Sequence, residues 1–264
     1  MKITKNSLSI VTGASGGLGT SIADSILNFG GKLLFVARNE EKIKNYEAKI
    51  ENNKIPSFFK LKIDLVNSYD LEVFKDYLEK FLMSNPEISE IFLFNNASSI
   101  EPIALISEVS FEDISNALIL NIASSYCISA FLINIGTKYK ISRINIINIS
   151  SGVSINPVKG WSSYCISKAG LNMLSKCIAT ENNFDSPIVF SLSINPGPID
   201  TEMQKKIRSA NSETIPAVKK FEAMFNEGKL QKSDDVSAKL FTILASNNFS
   251  NGDFIDFNSL NTNN

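Results

Sequence analysis

A tyrosine and a lysine, Tyr164 and Lys168, stand four residues apart in the segment SSYCISKAGLNMLSKCIAT. If this segment is helical, the two side chains lie one above the other on the same face. An ammonium beside a phenol favours the phenolate, so the phenolic proton becomes easier to move near neutral pH. Ser151 follows the strand-like run RINIINIS, where its hydroxyl can project over a site. Together the three side chains could act on a carbonyl group: the serine hydroxyl would hold its oxygen, the phenol would protonate it, and the ammonium would tune the phenol. The alternative is an ordinary helix with a tyrosine and a lysine on its surface.

The composition narrows the chemistry that the chain can perform. Its 264 residues contain no histidine, which excludes Ser-His-Asp and Cys-His triads and histidine-ligated metal sites. The three cysteines lack metal-ligand spacing, so we expect reduced thiols and no metal. A net charge of −1 gives no indication of binding to nucleic acid or to an anionic membrane. The chemistry must therefore use other groups.

The overall organisation predicts one intracellular domain. A hydrophobic fraction of 44% is enough to bury a full core. No apolar run approaches the roughly 20 residues of a spanning helix, and we interpret the start, MKITKNSLSIVTGAS, as a first strand and not a signal peptide. We expect a cytoplasmic protein. A single domain would cover residues 1–258, followed by a flexible tail at 259–264.

A glycine-rich turn links the first predicted strand, LSIVT, to an amphipathic segment, TSIADSILNFG. The turn reads GASGGLG from Gly13 to Gly19, and strand, glycine loop and helix in this order open a dinucleotide-binding βαβ unit. Glycines let the backbone approach a pyrophosphate, and the helix N-terminus offers free N–H groups. A mere tight connection between strand and helix is the alternative.

The end of the second predicted strand, KLLFVAR, indicates which dinucleotide would bind. A carboxylate there would bind the adenine ribose, but the residues are Ala37 and Arg38. A guanidinium suits a phosphate, so the sequence favours NADP over NAD. A solvated arginine at the start of a helix is the alternative. Asp64, after the third strand, would lie near the adenine amino group, or else serve as a helix N-cap or loop carboxylate.

Three more segments could contribute polar groups or a stiff loop to the site. The run Asn95–Ser98 would place amides at the carboxyl edge of the sheet. Asn121 lies in the apolar helical stretch LILNIASSYCISAFLI, where it either packs, bonds helix backbone, or orders a water beside Lys168. The prolines of Pro196–Thr201 make that loop stiff. Strands and helices alternate throughout, which predicts an α/β fold with a parallel sheet and helices on both faces.

These motifs together resemble one family. TGASGGLG, NNAS, Asn121, Ser151, YCISK and NPGPIDT fall in the order and spacing of the short-chain dehydrogenase/reductase family, over nearly the whole chain. The resemblance implies a Rossmann-type doubly wound sheet of about seven strands, an NADP(H) cofactor and a homodimer. The catalytic residues that it implies are Ser151, Tyr164, Lys168 and Asn121. The cofactor contacts that it implies are Gly13, Ser15, Gly16, Gly17, Leu18, Gly19, Arg38, Asp64, Leu65, Asn96, Ala97, Ser98, Tyr164, Lys168, Pro196, Gly197, Ile199 and Thr201.

Within this family the chain most resembles members that reduce the side-chain ketone of a pterin, as in tetrahydrobiopterin biosynthesis. The segments PVKGWSSYCISKAGLNML and FSNGDFIDF carry this likeness. It implies that Asp256 accepts two parallel N–H bonds from an aminopyrimidinone; a surface carboxylate at a strand end is the alternative. The substrate contacts that it implies are Ser151, Trp161, Tyr164, Met203 and Asp256.

Two departures and three other functions stay open. Gly16 stands where NADP-dependent members carry an arginine, and Ser98 stands where the family has a glycine. These departures weaken the predicted cofactor preference and substrate fit. The other functions are reduction of benzil-type diketones, oxidoreduction of an unrelated alcohol or carbonyl, and a non-catalytic NADP-binding sensor. Sensors of that kind tend to lose the tyrosine or the lysine, and this chain has both.

Overall fold

Strands and helices alternate along the chain. The computed structural model describes residues 1–51, 57–181, 188–213 and 215–259. The strands are β1 (Ser7–Thr12), β2 (Lys32–Ala37), β3 (Phe58–Lys62), β4 (Glu90–Asn95), β5 (Arg143–Ile149), β6 (Ile188–Asn195) and β7 (Phe254–Asp256). The helices are α1 (Gly17–Asn28), α2 (Glu40–Glu51), α3 (Ser68–Ser84), α4 (Phe111–Leu118), α5 (Ser124–Lys138), α6 (Ser162–Glu181), α7 (Glu202–Arg208), α8 (Ala217–Asn226) and α9 (Ser233–Ser246). A π-helical segment (Ile119–Ala123) joins α4 to α5, and a short 3₁₀ turn (Gly152–Ser154) follows β5.

The seven strands form one parallel sheet in the order β3-β2-β1-β4-β5-β6-β7. The strand order reverses between β1 and β4, so the connections leave these strands in opposite directions. In doubly wound sheets, ligands bind in the crevice that opens there, at the carboxyl ends of the strands. The predicted fold class, a Rossmann-type doubly wound parallel sheet in a single domain, is confirmed.

Two apolar layers hold the sheet between the helices. One layer packs α1, α2 and α9 on one face, and the other packs α3, α5 and α6 on the opposite face. Every residue of β1 is buried. Burial on both faces explains why the first strand reads as a continuous apolar run rather than an alternating one. This stiff double layer fixes the strand ends that carry the site.

The stretch 111–138 corrects one expectation. It forms a continuous helical segment that is long and apolar enough, by length and composition only, to cross a membrane, although only 39% of its most apolar window is buried. The prediction that no segment reaches this length is therefore wrong. One such helix is a weak indication of a membrane, since α5 contacts the sheet through Ile128, Leu132 and Ile135 as a core helix does.

Smaller differences concern the last third of the chain. The helix α7 follows the proline loop directly and is not predicted from the sequence. The helix α8 covers Ala217–Asn226, and residue 214, shortly before it, lies outside the described residues. Of the expected tail, 259–264, only Ser259 lies within the described residues, so the flexibility of the tail stays a prediction.

Candidate active site

One cavity of about 840 Å³ runs along the carboxyl ends of the strands and collects the predicted site residues. Its lining comes from the glycine loop, the ends of β2, β4, β5 and β6, and the start of α6. Among the residues predicted to bind cofactor or substrate or to act in catalysis, only Gly19 and Asn121 do not line it. Both support residues that do, as described below.

The glycine loop has the shape that a pyrophosphate needs. Gly13 has a φ of +61°, and a β-carbon there would lie 2.7 Å from the Cα of Ala97. A β-carbon on Gly19 would lie 2.4 Å from the carbonyl oxygen of Gly13. Helix α1 begins at Gly17 with no side-chain cap and no acidic residue in its first turn, so its first N–H groups are available to an anion. These residues fit a dinucleotide.

Asn96 holds the glycine loop in place. Its Nδ2 donates to the carbonyl oxygens of Thr12, at 3.0 Å, and of Gly13, at 3.2 Å. The hydroxyl of Thr12 in turn accepts the backbone N–H groups of Asn96 and Ala97, at 3.0 and 3.1 Å. The amide that the sequence places at the ligand edge is therefore engaged with the protein, where it joins the end of β4 to the glycine loop.

The nucleotide end of the cavity is open and carries exposed charges. The guanidinium of Arg38 lies 3.6 Å from the carboxylate of Asp64, and 73% of the arginine side chain is exposed. Asp64 also accepts the backbone N–H of Val66 at 3.2 Å, which makes it a loop carboxylate and not a helix cap. Lys42, in the first turn of α2, lines the same end and was not predicted from the sequence. Two cations thus stand where the second strand ends without a carboxylate.

The catalytic end of the cavity is buried. Ser151 begins the 3₁₀ turn after β5, and Tyr164 lies in the first turn of α6 with 9% of its surface exposed. The phenol interacts with the nearby Ser151 hydroxyl. Burial raises the pKa of Tyr164 to about 12, and the interaction with Ser151 acts in the opposite direction. Tyr164 is therefore protonated at neutral pH and suited to donate a proton.

Lys168 is also buried, with 2% of its surface exposed. Its Nζ donates to the carbonyl oxygen of Ile149 at 2.8 Å and lies 5.3 Å from the centre of the Tyr164 ring. Burial lowers the pKa of Lys168 to about 7. The prediction that this ammonium makes the phenol acidic is wrong for the structure described here, because the phenol's pKa is raised and Ser151 is the group that lowers it.

Asn121 fixes the loop that follows β4. It lies fully buried in the π-helical segment, and its Nδ2 donates to the carbonyl oxygen of Ser99 at 2.8 Å. Its Oδ1 accepts the N–H of Ser99 at 2.8 Å and the hydroxyl of Ser98 at 3.0 Å. Among the described residues, these hydrogen bonds of Asn121 go to the loop after β4, and none goes to helix backbone or to Lys168. Ser98, which departs from the family's glycine, supplies one of these bonds.

The substrate end is lined by aromatic rings. Trp161 stacks on Phe221 with ring centres 5.5 Å apart and an angle of 22°, and it meets Tyr164 edge-on at 6.4 Å. These rings belong to an apolar cluster whose other members that line the cavity are Ile100, Val153, Val158, Met203 and Ile207. Phe221 was missed, because a phenylalanine in an amphipathic helix usually signals only core packing. This end suits a flat, apolar ring.

Asp256, at the end of β7, faces the cavity with one carboxylate oxygen already used. Its Oδ1 accepts Nδ2 of Asn195 and both the backbone N–H and Nδ2 of Asn258, each at 2.9 Å. Three donors saturate that oxygen. Among the described residues no donor reaches Oδ2. One oxygen, and not the expected two, is therefore free to accept a bond from a ligand.

Gln231 holds the proline loop from behind. Its Nε2 donates to the carbonyl oxygen of Pro196 at 2.9 Å, and its backbone N–H donates to Pro198 at 3.0 Å. Its own carbonyl accepts the N–H of Asp200 at 3.0 Å. Thr201 then caps α7. The stiffness expected from the prolines thus also depends on a distant glutamine that carries no sequence signal.

The strand order, the glycine loop and the adjacent serine, tyrosine and lysine define an oxidoreductase that uses a nicotinamide cofactor. The chain belongs to the short chain dehydrogenase family, whose model matches residues 8–212. The resemblance predicted from the motifs is thereby confirmed.

The relatives and solved structures extend nearly over the full chain. A Bacillus cereus protein named benzil reductase ((S)-benzoin forming) is 31% identical over 247 residues, which cover 93% of this chain and 97% of that protein. A Bos taurus sepiapterin reductase is 27% identical and covers 95% of this chain and 94% of its own. The crystal structure of the KRED1-Pglu enzyme matches with a TM-score of 0.78 and 25% identity, over 94% of this chain and 99% of that one.

Proposed function

We propose that the protein is an NADPH-dependent carbonyl reductase for flat aromatic ketones that carry a second oxygen on the neighbouring carbon. The observation that carries this proposal is the stack of Trp161 and Phe221 beside the hydroxyls of Ser151 and Tyr164. The rings offer an apolar surface for an aromatic group, and the hydroxyls can both reach one carbonyl oxygen. Benzil and sepiapterin, the compounds in the names of the two relatives above, both have this pattern.

The residues divide the chemistry between them. When bound, the nicotinamide cofactor would supply a hydride for the carbonyl carbon. The hydroxyl of Ser151 holds the carbonyl oxygen, and Tyr164 donates its phenolic proton to that oxygen as the carbon–oxygen double bond becomes single. Lys168 anchors the end of β5 and can return a proton towards the tyrosine. Positioning of this kind can contribute several powers of ten in rate.

The preference for NADPH rests on charge. Arg38 and Lys42 place two cations at the nucleotide end, and Ala37 leaves no carboxylate at the end of β2 to repel a phosphate. Gly16 contributes no further cation. The preference that we propose is therefore moderate, and it should weaken as salt screens the exposed charges.

A pterin is the second candidate substrate, and Asp256 favours it. Asp256 lines the cavity, and its free Oδ2 can accept one N–H bond from an aminopyrimidinone. A diketone such as benzil has no N–H group and gains nothing from this oxygen. The higher identity to benzil reductase supports the diketone, and the carboxylate supports the pterin.

Asp256→Asn separates these two substrates. The variant keeps an oxygen for Asn195 and Asn258 but replaces the free acceptor with an amide donor. If the pterin binds Oδ2, kcat/KM for sepiapterin should fall about tenfold or more while kcat/KM for benzil and diacetyl stays within twofold. Equal effects on all three substrates would remove Asp256 from pterin recognition.

The test of the proposed function itself is a substrate panel with NADPH consumption as the readout. Benzil, diacetyl, sepiapterin and simple aliphatic ketones are compared in the wild-type protein, with NADH in parallel. We expect turnover of at least one aromatic ketone and a higher kcat/KM with NADPH. Absence of turnover with every carbonyl, despite NADPH binding, would favour the non-catalytic sensor.

We also propose that the protein is a homodimer that pairs through α5 and α6. Three large apolar side chains on these helices are more than half exposed: Tyr126, Ile166 and Met173. Exposed apolar groups on neighbouring helices are typical of an interface. Light scattering should give twice the monomer mass, and Ile166→Lys with Met173→Lys should halve it. A cytoplasmic location stays a prediction.

A further inference from the structure

A single asparagine of α6, Asn172, forms hydrogen bonds to the loop that carries Ser151 at two points. The hydroxyl of Ser150 donates to Oδ1 of Asn172 at 2.6 Å. Nδ2 of Asn172 donates to the hydroxyl of Ser154 at 2.8 Å. Both ends of one amide are therefore used, and the two tethered residues lie on either side of Ser151 along the chain.

The second tether continues to Ser151 itself. The hydroxyl of Ser154 accepts from Asn172 and donates to the carbonyl oxygen of Ser151 at 2.6 Å. The first tether also lies close to the helix, because the Ser150 hydroxyl is 3.3 Å from the carbonyl oxygen of Lys168. The bonds thus run in one direction, from the amide of Asn172 through a hydroxyl to the backbone of the residue whose side chain contacts Tyr164.

We call the two hydrogen bonds of Asn172, to Ser150 and Ser154, the clamp. The position of Asn172 on α6 connects the clamp to the proton donor, Tyr164. It lies four residues after Lys168 and eight after Tyr164 on the same helix, so it moves with both. It is partly buried and does not line the cavity. Asn172 is therefore outside the lining of the cavity, and its hydrogen bonds to Ser150 and Ser154 give it a route to the reaction through the Ser151 loop.

We propose that Asn172 is a positioning residue that sets the Ser151 hydroxyl against the Tyr164 phenol. The part of this inference that concerns turnover rests on the proposed carbonyl reduction, whereas the clamp itself does not. Because a shift of about 1 Å in a catalytic group can cost about a hundredfold in rate, two bonds that fix the loop to the helix are sufficient to control kcat.

Ser175 provides a matched control on the same helix. Its hydroxyl accepts Nδ2 of Asn148 at 2.8 Å and lies 2.8 Å from the hydroxyl of Ser193. These bonds attach α6 to β5 and β6 and make no contact with the 150–154 loop. Ser175→Ala should therefore lower stability as Asn172→Ala does, without releasing Ser151.

The first measurement is hydrogen exchange of the peptide that covers residues 150–156, followed by mass spectrometry. Asn172→Ala should speed exchange in this peptide at least severalfold over wild type, and Ser175→Ala should leave it within experimental error. Ser154→Ala, which removes only the second tether, serves as a milder variant in case Asn172→Ala does not fold, and it should speed exchange less. Equal exchange in all variants and wild type would overturn the clamp, whatever substrate the enzyme uses.

The second measurement uses the carbonyl substrate found in the panel. Asn172→Ala should lower kcat about tenfold or more, with KM and NADPH binding nearly unchanged, while Ser175→Ala should keep kcat. In a Ser151→Ala background, Asn172→Ala should have no further effect on kcat, because it acts through Ser151. An equal loss of kcat in both backgrounds, or in Ser175→Ala, would overturn the positioning role. If the wild-type protein is inactive on every carbonyl, the proposed function is overturned, and the predicted effect of Asn172 on turnover is overturned with it. The structural role of Asn172 is then decided by the hydrogen-exchange measurement alone.

Discussion

The two ends of the cavity differ in how they hold charge. At the nucleotide end, Arg38 is 73% exposed and only loosely paired with Asp64. At the catalytic end, Tyr164 and Lys168 are almost completely buried, and burial is the largest cause of the shift in both pKa values. Exposed charges are screened and contribute little each, whereas buried groups cannot be exchanged without changing the chemistry. Substitutions at the nucleotide end should therefore change the cofactor preference and leave the enzyme active, whereas substitutions of the buried groups at the catalytic end should abolish turnover.

The largest effect should come from the buried phenol. Tyr164→Phe removes the proton donor and leaves the ring that packs against Trp161. We expect NADPH to bind with unchanged affinity and carbonyl reduction to fall about a thousandfold or more. Titration of NADPH fluorescence and steady-state kinetics measure the two quantities. Retention of more than a tenth of wild-type turnover would remove Tyr164 from its role.

The second effect should separate activity from stability. Lys168→Met removes a buried amine, so turnover should fall about a hundredfold while the protein becomes more stable at low pH. In the wild type, the pKa of Lys168 is about 7 when folded and near 10.5 when unfolded. Between these values the unfolded chain binds more protons, so wild-type stability rises with pH through this window, and below pH 7 the full cost of burying the charge remains.

Urea unfolding of both proteins at several values between pH 6 and pH 10 measures this difference. The free energy of unfolding of Lys168→Met should exceed that of wild type by a few kcal/mol at pH 6, as an order of magnitude, and the gap should close towards pH 10. Parallel curves over the whole range would show that the lysine is not buried as described.

A smaller effect should come from the aromatic wall. Phe221→Ala removes the ring that stacks on Trp161, so KM for an aromatic ketone should rise about tenfold while kcat changes little. Phe225→Ala is the matched control, because Phe225 lies on the same helix but contacts Arg208, at 4.0 Å, outside the cavity. If both variants raise KM equally, α8 affects the cavity through its packing and not through the ring.

The smallest effect should come from a substitution at the nucleotide end of the cavity, at Gly16. A β-carbon at Gly16 would lie 3.8 Å from its nearest neighbour, an ordinary van der Waals distance, so the backbone leaves room for a side chain to start there. Gly16→Arg should raise the kcat/KM ratio of NADPH to NADH about fivefold at low salt, and less at high salt. Gly16→Ala controls for the loss of glycine. Identical ratios in the two variants would contradict a phosphate site at this position.

The difference between the two ends also explains what the sequence could predict. Local patterns predicted the parallel sheet, and nearly every residue that these patterns and the family resemblance assigned to the site lines the cavity, because glycine turns, strand ends and the Tyr164–Lys168 spacing are encoded over a few residues. Contacts between distant segments left no local signal, as with Gln231 behind the proline loop and Asn172 behind Ser151.

The pKa of Tyr164 was missed for the same reason. The sequence shows its neighbour Lys168 four residues away, and that spacing predicts a lowered pKa. The burial that raises the pKa comes in part from Ile100 and Ile207, which lie far from Tyr164 in the sequence and pack in the same apolar cluster only in the folded protein. Local spacing therefore identified the group but not its acidity.

The central claim is that hydride and proton are delivered to one carbonyl at the buried end of this cavity. The most direct test follows the reduction of benzil and sepiapterin with NADPH that carries deuterium at both C4 positions, in wild type and in Tyr164→Phe. We predict one deuterium on the new carbinol carbon for each NADPH consumed, and almost no product from the variant. A product without deuterium, or equal product from both proteins, would contradict the account.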